Sequence, residues 1–92
     1  MNLQQLRQRI DRLDERLLAL LSDRAALAIK IGQVKRRKKW PLYDARREAS
    51  VLQHVGRLNR GPLSDRAVQQ MFQSILTQCR RRERAGRPRK SR

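Results

Sequence analysis

The chain has 92 residues, which is enough for one small domain with a limited hydrophobic core. Its 24 Lys and Arg residues against 8 Asp and Glu residues give a formal charge of +16, which indicates an anionic partner: nucleic acid, an acidic membrane surface, or a carboxylated or phosphorylated small molecule. The single cysteine excludes an intrachain disulfide, and there is neither an apolar signal core nor a segment of transmembrane length, so we expect a soluble cytoplasmic protein.

The first predicted element is a long helix from about Leu3 to Val34 or beyond. Its apolar residues recur in alternating steps of three and four, as in a heptad seam: Leu3, Leu6, Ile10, Leu13, Leu17, Leu20, Leu27, Ile31 and Val34. Arg24 falls on this seam, where a buried charge must be paired or bind a ligand. The helix would be roughly 50 Å long, whereas a compact chain of this size has a radius of gyration of about 12 Å. We therefore expect it to pair with a second chain.

A second, shorter helix is predicted over residues 45–59. Pro41 cannot lie inside a helix, so the first helix ends before it and a loop spans about residues 38–43. Asp44 is a suitable N-cap for the second helix. The apolar face of this helix includes Ala45, Leu52 and Val55. Glu48 lies on the same face, which places one acid toward the interior.

A third helix is predicted to begin after a Ser64 cap. Its apolar residues, at helical spacing, are Val68, Met71, Phe72, Ile75, Leu76 and Cys79. Glu83 continues this stripe, so a second acid points inward. Residues 86–92 are basic and include a glycine and a proline, which predicts a folded domain over residues 1–85 followed by a disordered basic tail. No strand pattern competes, so we expect an all-α chain of three helices that pairs as a dimer.

Six charged residues lie on or beside predicted buried faces: Arg7, Arg24, Lys35, Arg47, Glu48 and Glu83. Taken singly, a basic side chain can lie along its helix with the charge in water, and each acid can neutralise a nearby arginine. Taken together, four cations and two acids that face one interior, without a cluster of metal ligands, indicate a pocket for a small polyanion that bears hydroxyl or ether groups.

The spacing along the first helix restricts which cations can share a ligand. Arg7 and Arg24 are 17 residues apart and therefore about 25 Å apart along the axis, too far to bind one small molecule within a chain. Arg24 and Lys35 are only about 16 Å apart and can reach toward each other. If Arg7 contributes, it enters the site of the partner chain, which an antiparallel pairing of first helices allows.

Five segments carry a resemblance to a known family: LRQRIDRLDERLLALLSDR, LAIKIGQVK, PLYDARRE, NRGPLSD and MFQSILTQCRRRE. In this order and spacing, over about residues 3–83, the chain resembles the small helical class of chorismate mutase, type II. The resemblance implies an intertwined homodimer that forms a six-helix bundle with two active sites. It implies an isomerase of the shikimate pathway that rearranges chorismate to prephenate, at the branch to phenylalanine and tyrosine, with no cofactor, no metal and no membrane partner.

The resemblance also implies the catalytic residues Arg24, Lys35 and Glu83. Arg24 and the partner subunit's Arg7 would hold the two substrate carboxylates, and Lys35 would donate to the ether oxygen of the breaking C–O bond, with Glu83 on its other side. All bonds form and break within one molecule, so the protein supplies positioning and charge stabilisation. Some family members carry glutamine and others glutamate at the position of Glu83.

Further substrate-binding residues implied by the resemblance lie on the second and third helices. Glu48 would accept a hydrogen bond from the ring hydroxyl near the backbone of Asp44, and Arg47 would stabilise that acidic side. Cys79 stands where the resemblance leads us to expect serine beside a carboxylate, so we expect that contact to be weak or missing.

Three other functions fit parts of the sequence. An isochorismate pyruvate-lyase has the same fold, the same carboxylate clamp and a cationic loop. A basic helical dimer that binds nucleic acid is suggested by the runs at residues 35–39 and 80–92, where nonspecific contact through the tail is expected. A regulatory domain can keep the fold without catalysis, although the intact charged set argues against it.

Overall fold

The computed structural model describes residues 1–85 of the chain. It contains three helices, α1 (Leu3–Arg37), α2 (Ala45–Leu58) and α3 (Asp65–Ala85). No strand occurs in this range, so the predicted all-α class and the predicted order of one long and two shorter helices are confirmed. None of these three helices is long and apolar enough to cross a membrane. The basic tail predicted over residues 86–92 lies outside the described residues.

Each helix begins at a residue whose side chain caps it. Asn2 and Gln5 form a capping box at the start of α1, in which each side-chain oxygen accepts a hydrogen bond from the other residue's backbone N–H. At α2 and α3, side-chain oxygens of Asp44 and Ser64 accept from the backbone N–H three residues later. Both predicted caps are therefore confirmed.

α1 is much longer than the core that it helps to form. Its 35 residues account for the longest dimension of the described chain, 54 Å, and the radius of gyration of 16.0 Å exceeds the value of about 12 Å for a compact chain of this length. Six seam residues in the first part of α1 are between 45% and 65% exposed: Leu3, Leu6, Ile10, Leu13, Leu17 and Leu20. A contiguous apolar row of this kind is typical of an interaction surface.

The core of the single chain is small and lies where α3 packs against both α1 and α2. Its buried residues are Ala28, Ile29, Gly32, Val51, Leu76 and Cys79. The α1 residues among them lie on a different face from the heptad seam, whose residues Leu27 and Ile31 remain more than half exposed. One face of α1 therefore packs within the chain, and the first part of the seam, as far as Leu20, is left for another surface.

Two residues predicted on the apolar faces of α2 and α3 are exposed. The buried residue of α2 is Val51, whereas Ala45 is exposed because it lies in the first turn, beyond the part of α2 that its neighbours cover. On α3, Leu76 and Cys79 are buried, and Met71 is 46% exposed because it lies at the edge of the stripe that they form. The inward position predicted for Glu48 and Glu83 is confirmed, since both are partly buried.

Gly32 marks a very close approach of α1 to α3. A Cβ atom at this position would lie 2.5 Å from the backbone oxygen of Glu83 and 2.8 Å from its Cα. Both atoms belong to the α3 backbone, which cannot move aside as the end of a flexible side chain can. The absence of a side chain at residue 32 therefore sets the distance between the two helices.

Gly32→Ala should destabilise the fold by about 1–2 kcal/mol, because overpacking against the α3 backbone outweighs the higher helix propensity of alanine. Urea unfolding at a fixed protein concentration measures the change, since the stability of an associating chain depends on concentration.

Gly56→Ala is the matched control. A Cβ there would meet only the side-chain Nε2 of Gln69, at 3.2 Å, so this variant should be as stable as the parent or more stable by up to about 1 kcal/mol. Equal stability of the Gly32→Ala and Gly56→Ala variants would show that α1 and α3 are not in tight contact.

Candidate active site

One cleft collects nearly all the residues predicted to bind a ligand. It has a volume of about 260 Å³ and lies between the second half of α1, the loop before α2, and the inner faces of α2 and α3. The predicted site residues that line it are Arg24, Lys35, Asp44, Arg47, Glu48, Cys79 and Glu83. Arg7 does not line the cleft of its own chain. It lies 17 residues before Arg24 on the continuous α1 helix, so the two residues are about 25 Å apart along the helix axis.

One face of α1 forms a wall of the cleft and carries both apolar and cationic side chains. Arg24, Leu27, Ile31 and Lys35 follow one another at steps of three and four residues, and all four line the cleft. Arg24 is partly buried, and among residues 1–85 no carboxylate forms an ion pair with it. A guanidinium presents a planar fork of N–H donors that matches a carboxylate. Its place on this wall therefore provides a binding site for an anionic group of a ligand.

Lys35 reaches across the cleft from α1 to α3. Its Nζ donates to Glu83 Oε1 at 2.9 Å and to the backbone oxygen of Leu42 at 2.8 Å. An ammonium group has three N–H donors, so within the described chain one donor remains for a ligand oxygen. Arg36 Nη1 donates to the backbone oxygen of Glu83 at 2.6 Å. Glu83 is thus held by its backbone and by its side chain.

Glu48 has a partner that is not among the residues predicted from the sequence. Arg80, on α3, donates from Nη1 to Glu48 Oε2, and this contact raises the pKa of Arg80. The Arg80 guanidinium also lies over the ring of Tyr43, 4.8 Å from its centroid. Two sequence features point to Arg80. It directly follows the buried Cys79 on α3, and the inward acid of α2, Glu48, needs a counter-ion.

The remaining charged residues of the cleft lie at the start of α2. Asp44 Oδ1 accepts from the backbone N–H of Arg47 at 3.0 Å, so this carboxylate is engaged in capping the helix. The Arg47 side chain is exposed, and no acid among residues 1–85 forms an ion pair with it. All three acids of the cleft are therefore engaged, whereas Arg24 and Arg47 are free to receive an anion.

The chemistry that this cleft offers a ligand is hydrogen bonding and charge. Cys79 is a buried free thiol, and the described residues contain no group of three or more His, Cys, Asp or Glu side chains that could hold a metal ion. The fold and the cleft thus define a three-helix domain whose cleft presents cationic side chains suited to a small anion.

Comparisons with known proteins place this domain in a family. Residues 6–84 match the family model of chorismate mutase type II. The chain is 42% identical over 83 residues to a bifunctional chorismate mutase/prephenate dehydratase of Stutzerimonas stutzeri and 43% identical over 82 residues to one of Pseudomonas aeruginosa. In each case the match covers 84% of this chain but only 22% of the relative.

A solved chorismate mutase of Thermus thermophilus (Form II) superposes with a TM-score of 0.87 at 32% sequence identity, over 88% of this chain and 92% of that one. The chain belongs to the chorismate mutase type II family.

Proposed function

We propose that this chain is an isomerase, a cytoplasmic chorismate mutase that rearranges chorismate to prephenate in the shikimate pathway, at the branch to phenylalanine and tyrosine. The observation that carries the proposal is the cleft, in which Arg24, Lys35 and Glu83 face one space in a chain of this family. Chorismate has two carboxylates, an ether oxygen and a ring hydroxyl. The charged groups of the cleft match this set of functional groups.

The reaction needs positioning and charge rather than a nucleophile. The ether C–O bond breaks while a C–C bond forms within the same molecule, and no proton or electron leaves it. Arg24 would bind one carboxylate and so favour the compact conformer in which the reacting carbons meet. The remaining N–H of Lys35 would donate to the ether oxygen as negative charge develops on it. Arg47 and Cys79 would border the bound substrate.

Glu83 would supply a second hydrogen bond to the ether oxygen. It lies beside Lys35 in the cleft, which supports a role at the same substrate atom. A carboxyl group can donate only when it is protonated, and as a carboxylate it would repel the ether oxygen. On the opposite side, Glu48 would accept a hydrogen bond from the ring hydroxyl, close to the backbone of Asp44.

We propose further that the active unit is an intertwined homodimer that forms a six-helix bundle. The exposed seam of α1 supports this pairing, because a second copy of the seam would cover it. The second substrate carboxylate would be bound by the partner subunit's Arg7. An antiparallel pairing of α1 helices brings the first part of one helix to the cleft of the other chain.

A second, weaker activity is nonspecific contact with nucleic acid through basic residues. Four consecutive exposed cations, Arg36 to Lys39, support this contact, and they lie at the end of α1 and in the turn after it. Lys38 lies over the ring of the exposed Trp40. Contacts of this kind carry no sequence preference and weaken as salt rises.

Purified protein should convert chorismate to prephenate. Lys35→Ala should lower kcat/KM by a factor of about 10²–10³, because it removes a donor to developing charge. Absorbance follows the loss of chorismate, and chromatography identifies the product. The control is Lys30→Ala, an exposed residue of the same helix, which should leave the rate unchanged. Release of pyruvate from isochorismate, without prephenate formation from chorismate, would assign the chain to the lyases instead.

The rate should be higher at acidic than at neutral pH, because only the protonated carboxyl of Glu83 donates to the ether oxygen. Glu83→Gln keeps the shape of the side chain and donates at any pH, so it should flatten the pH profile and raise the rate at neutral pH. Steady-state rates between pH 5 and pH 8 test this. A wild-type rate that climbs throughout that range, or a Gln variant that keeps the wild-type profile, would show that Glu83 does not act at the ether oxygen.

Mixing Arg7→Ala chains with Arg24→Ala chains should restore activity that neither variant has alone. Random exchange gives mixed dimers in half of the population, each with one intact site, so we expect about a quarter of the wild-type rate. The matched control mixes Arg24→Ala with Lys35→Ala, which leaves every site defective because both residues act in their own chain. Exchange that is verified by mass and still restores no activity would show that the two arginines do not share a site.

A further inference from the structure

Arg80 connects three elements of the fold at a place just outside the cleft. It lies on α3, its Nη1 donates to Glu48 Oε2 on α2, and its guanidinium stacks on Tyr43 in the loop between α1 and α2. The side chains of Arg80 and Glu48 are only 25% and 17% exposed. Glu48 lines the cleft and Arg80 does not. The guanidinium therefore holds the acid from behind, on the side away from a ligand.

This arrangement solves an electrostatic problem of the cleft. Glu48 is a partly buried acid in a space that we propose to hold a substrate with two carboxylates, and like charges at short range repel. A cation placed within the cleft would compete with the substrate for space or bind one of its carboxylates. Arg80 compensates the Glu48 charge from outside the cleft, so the ring hydroxyl can be recognised without an extra cation beside the substrate.

The contact also fixes the direction of the Glu48 carboxylate. Arg80 engages Oε2, which leaves Oε1 to accept a hydrogen bond from a ligand. Stacking on Tyr43 restrains the guanidinium plane and thus the carboxylate that it holds. An ion pair buried to this extent adds little net stability, because the cost of desolvating the two charges offsets their attraction, and stability alone would not require a second contact to orient the guanidinium.

We propose that Arg80 is a positioning residue, which orients the Glu48 carboxylate as the acceptor for the ring hydroxyl of the substrate. This inference rests on the proposed function and adds a residue outside the cleft to the groups that set its specificity. Arg80 touches no substrate atom in this scheme and acts through Glu48 alone.

A double-mutant cycle tests the proposal, with kcat/KM for chorismate as the readout. Arg80→Met keeps an apolar stem of similar length and should lower kcat/KM about tenfold, within the range of coupling between contacting residues. In a Glu48→Ala background the same change should alter kcat/KM by less than about twofold, because no carboxylate remains to be oriented. Arg80→Lys keeps the charge but not the fork, and should retain more activity than Arg80→Met.

Arg81→Met is the matched control, since it removes one positive charge from an exposed neighbour on the same helix, and it should leave kcat/KM unchanged. Circular dichroism and thermal unfolding verify the fold of each variant. If Arg80→Met does not fold, the cycle is carried out with Arg80→Lys. An equal loss in both backgrounds, or no loss in the parent, overturns the proposal. A parent chain that does not turn over chorismate contradicts the proposed function instead.

Discussion

The close approach of α1 and α3 at Gly32 and Glu83 is the contact on which the cleft depends. With no side chain at residue 32, the α3 backbone lies directly on α1. One turn further along α1, Arg36 donates to the backbone oxygen of Glu83 and Lys35 donates to its carboxylate. The register of α3 against α1 is therefore fixed at the residue proposed to act on the ether oxygen. Arg80, one turn earlier on α3, is placed against Glu48 by the same register.

The helices, their caps and the charged residues of the cleft follow from local information in the sequence. Helical periodicity depends on residues three and four positions apart, and a cap depends on one side chain and the N–H groups just after it. For this reason Asp44 and Ser64 were identifiable as caps, and Glu48 and Glu83 as inward acids. Seven of the eight predicted site residues line one cleft, and the eighth, Arg7, was predicted to act in the other chain.

The packing within the chain was not predictable in the same way, because α1 has two usable faces. The heptad seam is the stronger sequence pattern, yet the face that meets α3 is another one, which carries Ala28, Ile29 and Gly32. From the sequence alone, a glycine within a helix indicates only a lower helix stability. Arg80 was missed for a related reason. Among 24 basic residues, the position of Arg80 directly after Cys79 indicates that it lies near the apolar stripe of α3. It does not identify Glu48 as its partner, since that pairing depends on how α2 and α3 are placed in space.

The charge of the chain as a whole and the charge of its cleft differ in a way that bears on the oligomeric state. The formal charge is +16, which attracts anions toward the surface, but at physiological salt an exposed charge is screened beyond about 8 Å. The cleft itself is lined by three cations and three acids, Arg24, Lys35 and Arg47 against Asp44, Glu48 and Glu83. With Glu83 protonated, as its proposed role requires, three cations face two carboxylates in the cleft, so this excess of one positive charge does not neutralise a dianion, and further positive charge must come from outside the cleft. Arg80 supplies one such charge behind Glu48, and the proposed pairing supplies another through the partner subunit's Arg7. The excess length of α1, its exposed apolar seam and the small positive charge of the cleft therefore all favour a site that is completed by a second chain.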